Sequence, residues 1–202
     1  MGFSQLLIQF VFRLTFGVAL AMAITPSKHV SSGFYRVHLW VLMGLNTFAA
    51  LAVYSQSEVL AGVLTNWWLP FALAIALSAL CYVGSIVWLY EKADLGTAVI
   101  VLVAGGALLA AVFATPWGST KTPLGIALAL FDLGSSGLLM GVTLSAMFLG
   151  HWYLNTPTME LLPLKRLVIL MTTAIVARTL VSGTGLALQA SSAQPLDNVF
   201  WI

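Results

Sequence analysis

Six long apolar runs, broken by short polar connectors, set the rhythm of this chain. Each run is close to the roughly 20 residues that a helix needs to cross the hydrocarbon core of a bilayer. None alternates polar and apolar at every second position as a barrel strand must, and helices are the other backbone arrangement that satisfies its own amides in lipid. The pattern predicts an all-α, polytopic transmembrane helical bundle of about six spans, at 5–24, 35–54, 68–90, 96–114, 124–153 and 164–188. The chain 1–202 is then a single integral-membrane domain with a short C-terminal tail, 189–202, too polar and too short for a seventh span. Phe200, Trp201 and Ile202 suit that tail to the membrane interface, and it also reads as the remnant of a longer chain.

The connectors carry helix-stopping residues, as in TPSK, SQSE, EKAD, ATPWGSTKTP and NTPTMELLP. Thr122 stands where the fifth span needs a cap, and Pro123 where a first helical turn tolerates a missing N–H. AMA at 21–23 resembles a signal cleavage site, but nothing basic precedes the first run and Arg13 interrupts it, so it is read as a retained span.

Composition agrees with lipid as the main solvent. The chain is 60% hydrophobic and 7% charged, against roughly 25% charged in soluble domains, and its mean hydropathy is +1.02. The net charge of +2 is dispersed, with no basic run to follow a phosphate backbone, so nucleic acid is excluded and the expected partners are membrane lipids and other membrane subunits. The lone Cys81 permits no internal disulfide. There is no G-x-S-x-G, Walker loop, H-E-x-x-H or paired acidic motif, and the connectors are too short for soluble chemistry, so no catalytic activity of its own is expected.

Basic residues set an expected orientation. Lys28, Arg36, Lys92, Lys165 and Arg166 fall on the side of the first, third and fifth connectors, against Lys121 on the other. The positive-inside rule makes the richer side cytoplasmic and both termini non-cytoplasmic, at the inner membrane if the host is a bacterium. "VHLWVLMGLN" and "GHWYLN", in the second and fifth spans, hint at an inverted repeat. Such a repeat would send its two histidines to opposite faces, whereas this topology puts both on one, and the repeat is rejected.

Two groups of polar residues stand out within the apolar runs. Asp132, Arg13 and Arg178 form an expected intramembrane charge pair, with the two arginines as competing partners for the one acid. A charge at a helix centre costs about 2.5–3.5 kcal/mol on insertion scales, so it faces the bundle and finds a partner. An ion pair pinning helices, a proton or ion path through Asp132, and a contact for a partner subunit are the three readings. Asn46, Gln5, Gln9, Thr172 and Thr173 are expected to bond between helices, and Gly137 and Gly141 to allow close packing, with Gly105 and Gly106 as a matching smooth place.

The second group is His38 and His151, at similar depth near the same end, with Trp40, Trp152, Tyr35, Tyr153 and Arg36 around that level. Two neutral imidazoles on facing helices suit the iron of haem b, with Arg36 toward the propionates, or a quinone head group that accepts a bond from an imidazole. The same residues also make an ordinary interfacial belt. The expected function is therefore an integral membrane subunit of a larger respiratory or photosynthetic electron-transfer complex, binding haem b or quinone through His38, His151 and Arg36. A small transporter or channel with a midplane polar site around Asp132 and Arg178 is one alternative. A structural subunit without cofactor is the other.

Overall fold

A computed structural model describes residues 3–64, 66–117, 122–155 and 160–191. Lys121 and the tail beyond 191, on which the charge count and the interfacial expectation partly rest, lie outside the described residues. The described chain is helical, with no strand, and six of its helices are long and apolar enough to cross a membrane. They are α1 (Phe3–Ile24), α2 (Ser32–Ser55), α4 (Trp68–Leu89), α5 (Ala93–Phe113), α6 (Pro123–Asn155) and α7 (Leu162–Ser191). The short α3 (Ser57–Ala61) lies in the connector after α2, where five residues leave no periodicity for a sequence reading to find.

Most of the helices run a few residues past the expected spans. Hydropathy marks only the part of a helix that lipid solvates, whereas the backbone ladder continues wherever its ends are capped or reach water. At the start of α6 the Thr122 hydroxyl accepts from the Gly125 amide at 3.1 Å, with Pro123 opening the helix. Between α4 and α5 the chain reverses in three residues. Glu91 adopts φ 55, the Glu91 amide donates to the Trp88 carbonyl and the Lys92 amide to that of Val87. This is the double bond of a Schellman cap, with glutamate where glycine is usual.

Helix α1 is the axis of the bundle. It packs against α2, α5 and α6, while α4 closes the group by lying on α2 and α5. Helix α7 leans chiefly on α6. Burial follows this order, from 67% of the α1 span to 11% of the α7 span. One side of α5 is a line of small residues, Val103, Ala104, Ala107, Ala110 and Ala111, all buried. Short side chains here let α1 approach α5 closely enough for Gln9 to donate to the Ala111 carbonyl at 3.0 Å.

The closest approach is the crossing of α1 and α6. A Cβ on Gly17 would overlap the Gly137 carbonyl, one on Gly141 would overlap the Gly17 backbone, and one on Gly137 would come within 2.7 Å of the Arg13 carbonyl. The surface that meets Gly137 and Gly141 is thus Gly17 on α1, and not Gly105 and Gly106. Gly105 has open space around it and Gly106 faces Leu77 of α4. Lipid offers no hydrophobic drive between helices, so backbone proximity and dispersion carry the association.

Gly17→Ala is expected to push α1 from α6 and to destabilise the fold by about 1–3 kcal/mol, read as a lower midpoint of denaturant unfolding in micelles. Gly105→Ala, which meets open space, should stay within about 0.5 kcal/mol of the parent. Equal midpoints for the two variants would show that the crossing does not hold the bundle.

Candidate functional sites in the bundle

Two polar layers stand out. The first lies near the middle of the membrane. Arg13 is ten positions beyond Phe3 on α1, or about 15 Å at 1.5 Å rise per residue, half of a hydrocarbon core about 30 Å thick. Its Nη1 donates to Asp132 Oδ2 and to Ser136 Oγ, both at 2.9 Å, while Arg178 Nη1 reaches Asp132 Oδ1 from the other side. Sequence left the two arginines as rivals for one carboxylate; in the structure each takes one oxygen. Helices α1, α6 and α7 are joined through the side chain of Asp132.

The surroundings of Arg13 are built to hold it. Its Nε faces Gln9 Oε1 at 3.4 Å, one turn earlier on α1. Gln9 Nε2 in turn donates to the Ala111 carbonyl and to Thr115 Oγ1, so the network continues into α5. Gln9 and Arg13 are both more than nine-tenths buried. Arg178 is held more loosely: its side chain is 31% exposed, and among the described residues its polar contacts are to Asp132. Asn46 adds a bond from α2 to Thr15 of α1 at 3.2 Å. The expectation for Thr172 and Thr173 is corrected, since their hydroxyls return to the Val168 and Ile169 carbonyls of their own helix. Gln5 Nε2 is buried without a partner.

The second layer is at the end of the bundle that carries the first, third and fifth connectors. Tyr35 of α2 stacks on Trp88 of α4 with ring centres 4.0 Å apart and planes at 6°, and its hydroxyl donates to the Thr25 carbonyl at 2.8 Å. Gly96 makes room for that indole, since a Cβ there would lie 2.5 Å from Trp88 Cε2. His29 of the first connector meets Glu160 of the fifth at 2.9 Å, and Tyr153 donates to the Glu160 carbonyl. Lys28, Lys92, Lys165 and Arg166 are exposed around the same end.

His38 is 4% exposed. Its ring lies against Phe34 of its own helix, centres 4.1 Å apart, and edge-on to Phe148 of α6 at 5.3 Å. His151 is one turn beyond Phe148 on α6 and is exposed. Helices α2 and α6 therefore meet at this level, helped by Trp152, which lies edge-on to Phe34 and close to Gly33. His38 Nδ1 is 2.7 Å from the Phe34 carbonyl. A carbonyl only accepts, so Nδ1 carries the proton and, in the neutral ring, Nε2 holds the free lone pair. That Nε2 is buried and has no partner. It suits a metal ion or a hydroxyl donor, and it cannot donate to a quinone carbonyl while the ring is neutral. Arg36, two positions before His38, is turned about 200° from it around the helix axis, and its Nε is buried without a partner.

The signals behind Gly17, Ser136 and Thr115 were weaker in sequence. Gly17 is a single glycine in an apolar helix, yet it sits one turn beyond Arg13, as Gly137 follows Ser136. Among the described residues there is no group of three or more His, Cys, Asp or Glu that would hold a bare metal ion.

Asp132→Asn leaves two guanidiniums without a counter-charge and is expected to cost on the order of 3 kcal/mol. Arg178→Gln should cost clearly less, because Arg13 and Asp132 remain paired. Denaturant titration in micelles compares them, and equal losses would refute the shared carboxylate as the element that holds three helices. No protein-family model, curated protein or solved structure matches this chain.

Proposed function

We propose that the chain is an integral membrane subunit of a larger assembly, seated with its basic end toward the cytoplasm. The observation that carries this reading is the position of α7. It is a membrane-spanning helix of 30 residues that leans chiefly on α6 and bears an arginine with a third of its side chain uncovered. A spanning helix with so little of itself buried, and a charge in its apolar part, is better suited to contact with further protein than to lipid alone. Helix α6 runs unbroken through Gly134–Ser135–Ser136–Gly137, where a transporter would be expected to loosen it around a midplane site. That continuity favours the subunit reading over transport.

A second reading concerns the end layer. The unpartnered Nε2 of His38 supports a role in an electron-transfer complex, as an axial ligand of haem b or as acceptor of a hydroxyl bond from a reduced quinone. His151 is the available histidine on the facing helix. The backbone carbonyl of Phe34 fixes the tautomer that such a ligand needs.

Extraction of the native membrane into polymer-bounded lipid discs, followed by mass measurement, tests the first reading. The expected particle contains other polypeptides in fixed ratio. A solitary chain of 21.6 kDa in its lipid would sink the proposal. For the second reading, a dithionite difference spectrum of the same particles should show haem bands that His38→Ala abolishes and His29→Ala leaves intact. Bands that survive His38→Ala would remove that residue as a ligand, and a spectrum without bands would dismiss haem.

A further inference from the structure

The charges of the midplane layer do not sum to zero. Arg13 and Arg178 share one carboxylate, and a guanidinium does not release its proton in a protein. Whatever the state of Asp132, at least one positive charge is in excess near the middle of the bilayer. Arg13 is enclosed and has Gln9 and Ser136 as further partners. The excess therefore belongs to Arg178, whose side chain is partly uncovered on α7.

We infer that a carboxylate on a membrane-spanning helix of another polypeptide docks against α7 and bonds to Arg178, completing a four-membered charge network. This rests on the reading of the chain as a membrane subunit, and it names the chemistry of the partner. Depth excludes the lipid phosphates as the source, because headgroups lie about 15 Å from the middle of the core. The described residues of a second copy do not supply the group either. Apart from Asp132, their acids are Glu58 in α3, Glu91 and Asp94 at the α4–α5 turn, and Glu160 before α7, none of them within the apolar part of a span. The surface beside Arg178 also accepts a backbone: Ser182 and Gly185 continue its line along α7, and a Cβ on Gly185 would meet nothing within 4 Å.

The test uses the full chain, fluorescently labelled, in phosphatidylcholine vesicles. The probe is a Leu/Ala-rich membrane-spanning peptide with one Glu at its centre, and the control is the same peptide with Gln. Energy transfer should show the Glu peptide binding on the order of tenfold more tightly. Arg178→Gln should abolish the preference, and Arg178→Lys should keep it, which separates loss of charge from loss of fold. Equal binding of the two peptides would overturn the inference, as would a preference that persists in Arg178→Gln. Abolition of the preference by added phosphatidylglycerol would replace the helix by a headgroup. Gain of Glu-peptide binding in Asp197→Asn would identify the chain's own C-terminal acid as the occupant, and either result counts against the proposal. A chain found solitary in native discs that still selects the Glu peptide sinks the assembly reading alone. An assembled chain without that selectivity sinks the carboxylate alone.

Discussion

Asp132 holds the outer helices to the axis of this bundle. One of its oxygens faces Arg13 on the most buried helix and the other faces Arg178 on the least buried one. In water such contacts contribute little, because screening and side-chain entropy offset the attraction. In hydrocarbon the comparison changes, since an uncompensated charge is expensive and the alternative partners are few. The network therefore acts as much through the cost of leaving a charge alone as through the attraction itself. It fixes α7, which has little other contact with the axis, in both depth and rotation.

Shape and charge meet at the same crossing. Arg13 and Gly17 are one turn apart on α1, and Asp132, Ser136, Gly137 and Gly141 follow one another along α6. The glycines remove the side chains that would hold the two backbones apart, and so bring Arg13 within 2.9 Å of both Asp132 and Ser136. Each feature depends on the other. The charged pair would be too far apart without the glycine contact, and the glycine contact by itself gives dispersion without a fixed register.

The opposite design governs the end layer, where aromatic rings and single backbone carbonyls position the polar atoms. Stacking of Tyr35 on Trp88 joins α2 to α4, and Phe34, Phe148 and Trp152 join α2 to α6. Between them His38 is oriented by one bond to its own helix. Aromatic residues at this level belong to the interface between headgroups and hydrocarbon in most helical membrane proteins. What sets this cluster apart from such a belt is a buried imidazole nitrogen with its lone pair unused.

Sequence by itself determined that the chain is a multi-pass helical bundle, because long runs of apolar residues with few charges have one stable backbone solution in lipid. It also singled out Arg13, Asp132 and Arg178, since charges are conspicuous where almost every neighbour is apolar, and it placed the cap at Thr122. Only the tertiary structure decided that Asp132 is shared, that Gly17 and not Gly105 meets Gly137 and Gly141, and that Thr172 and Thr173 bond to their own helix. Hydropathy reports depth along a helix, and here it says little about rotation around one: helices facing lipid on one side and protein on the other are apolar on both. Which polar groups turn toward each other is fixed by close packing between helices distant in sequence, and a linear pattern of residues does not carry that information.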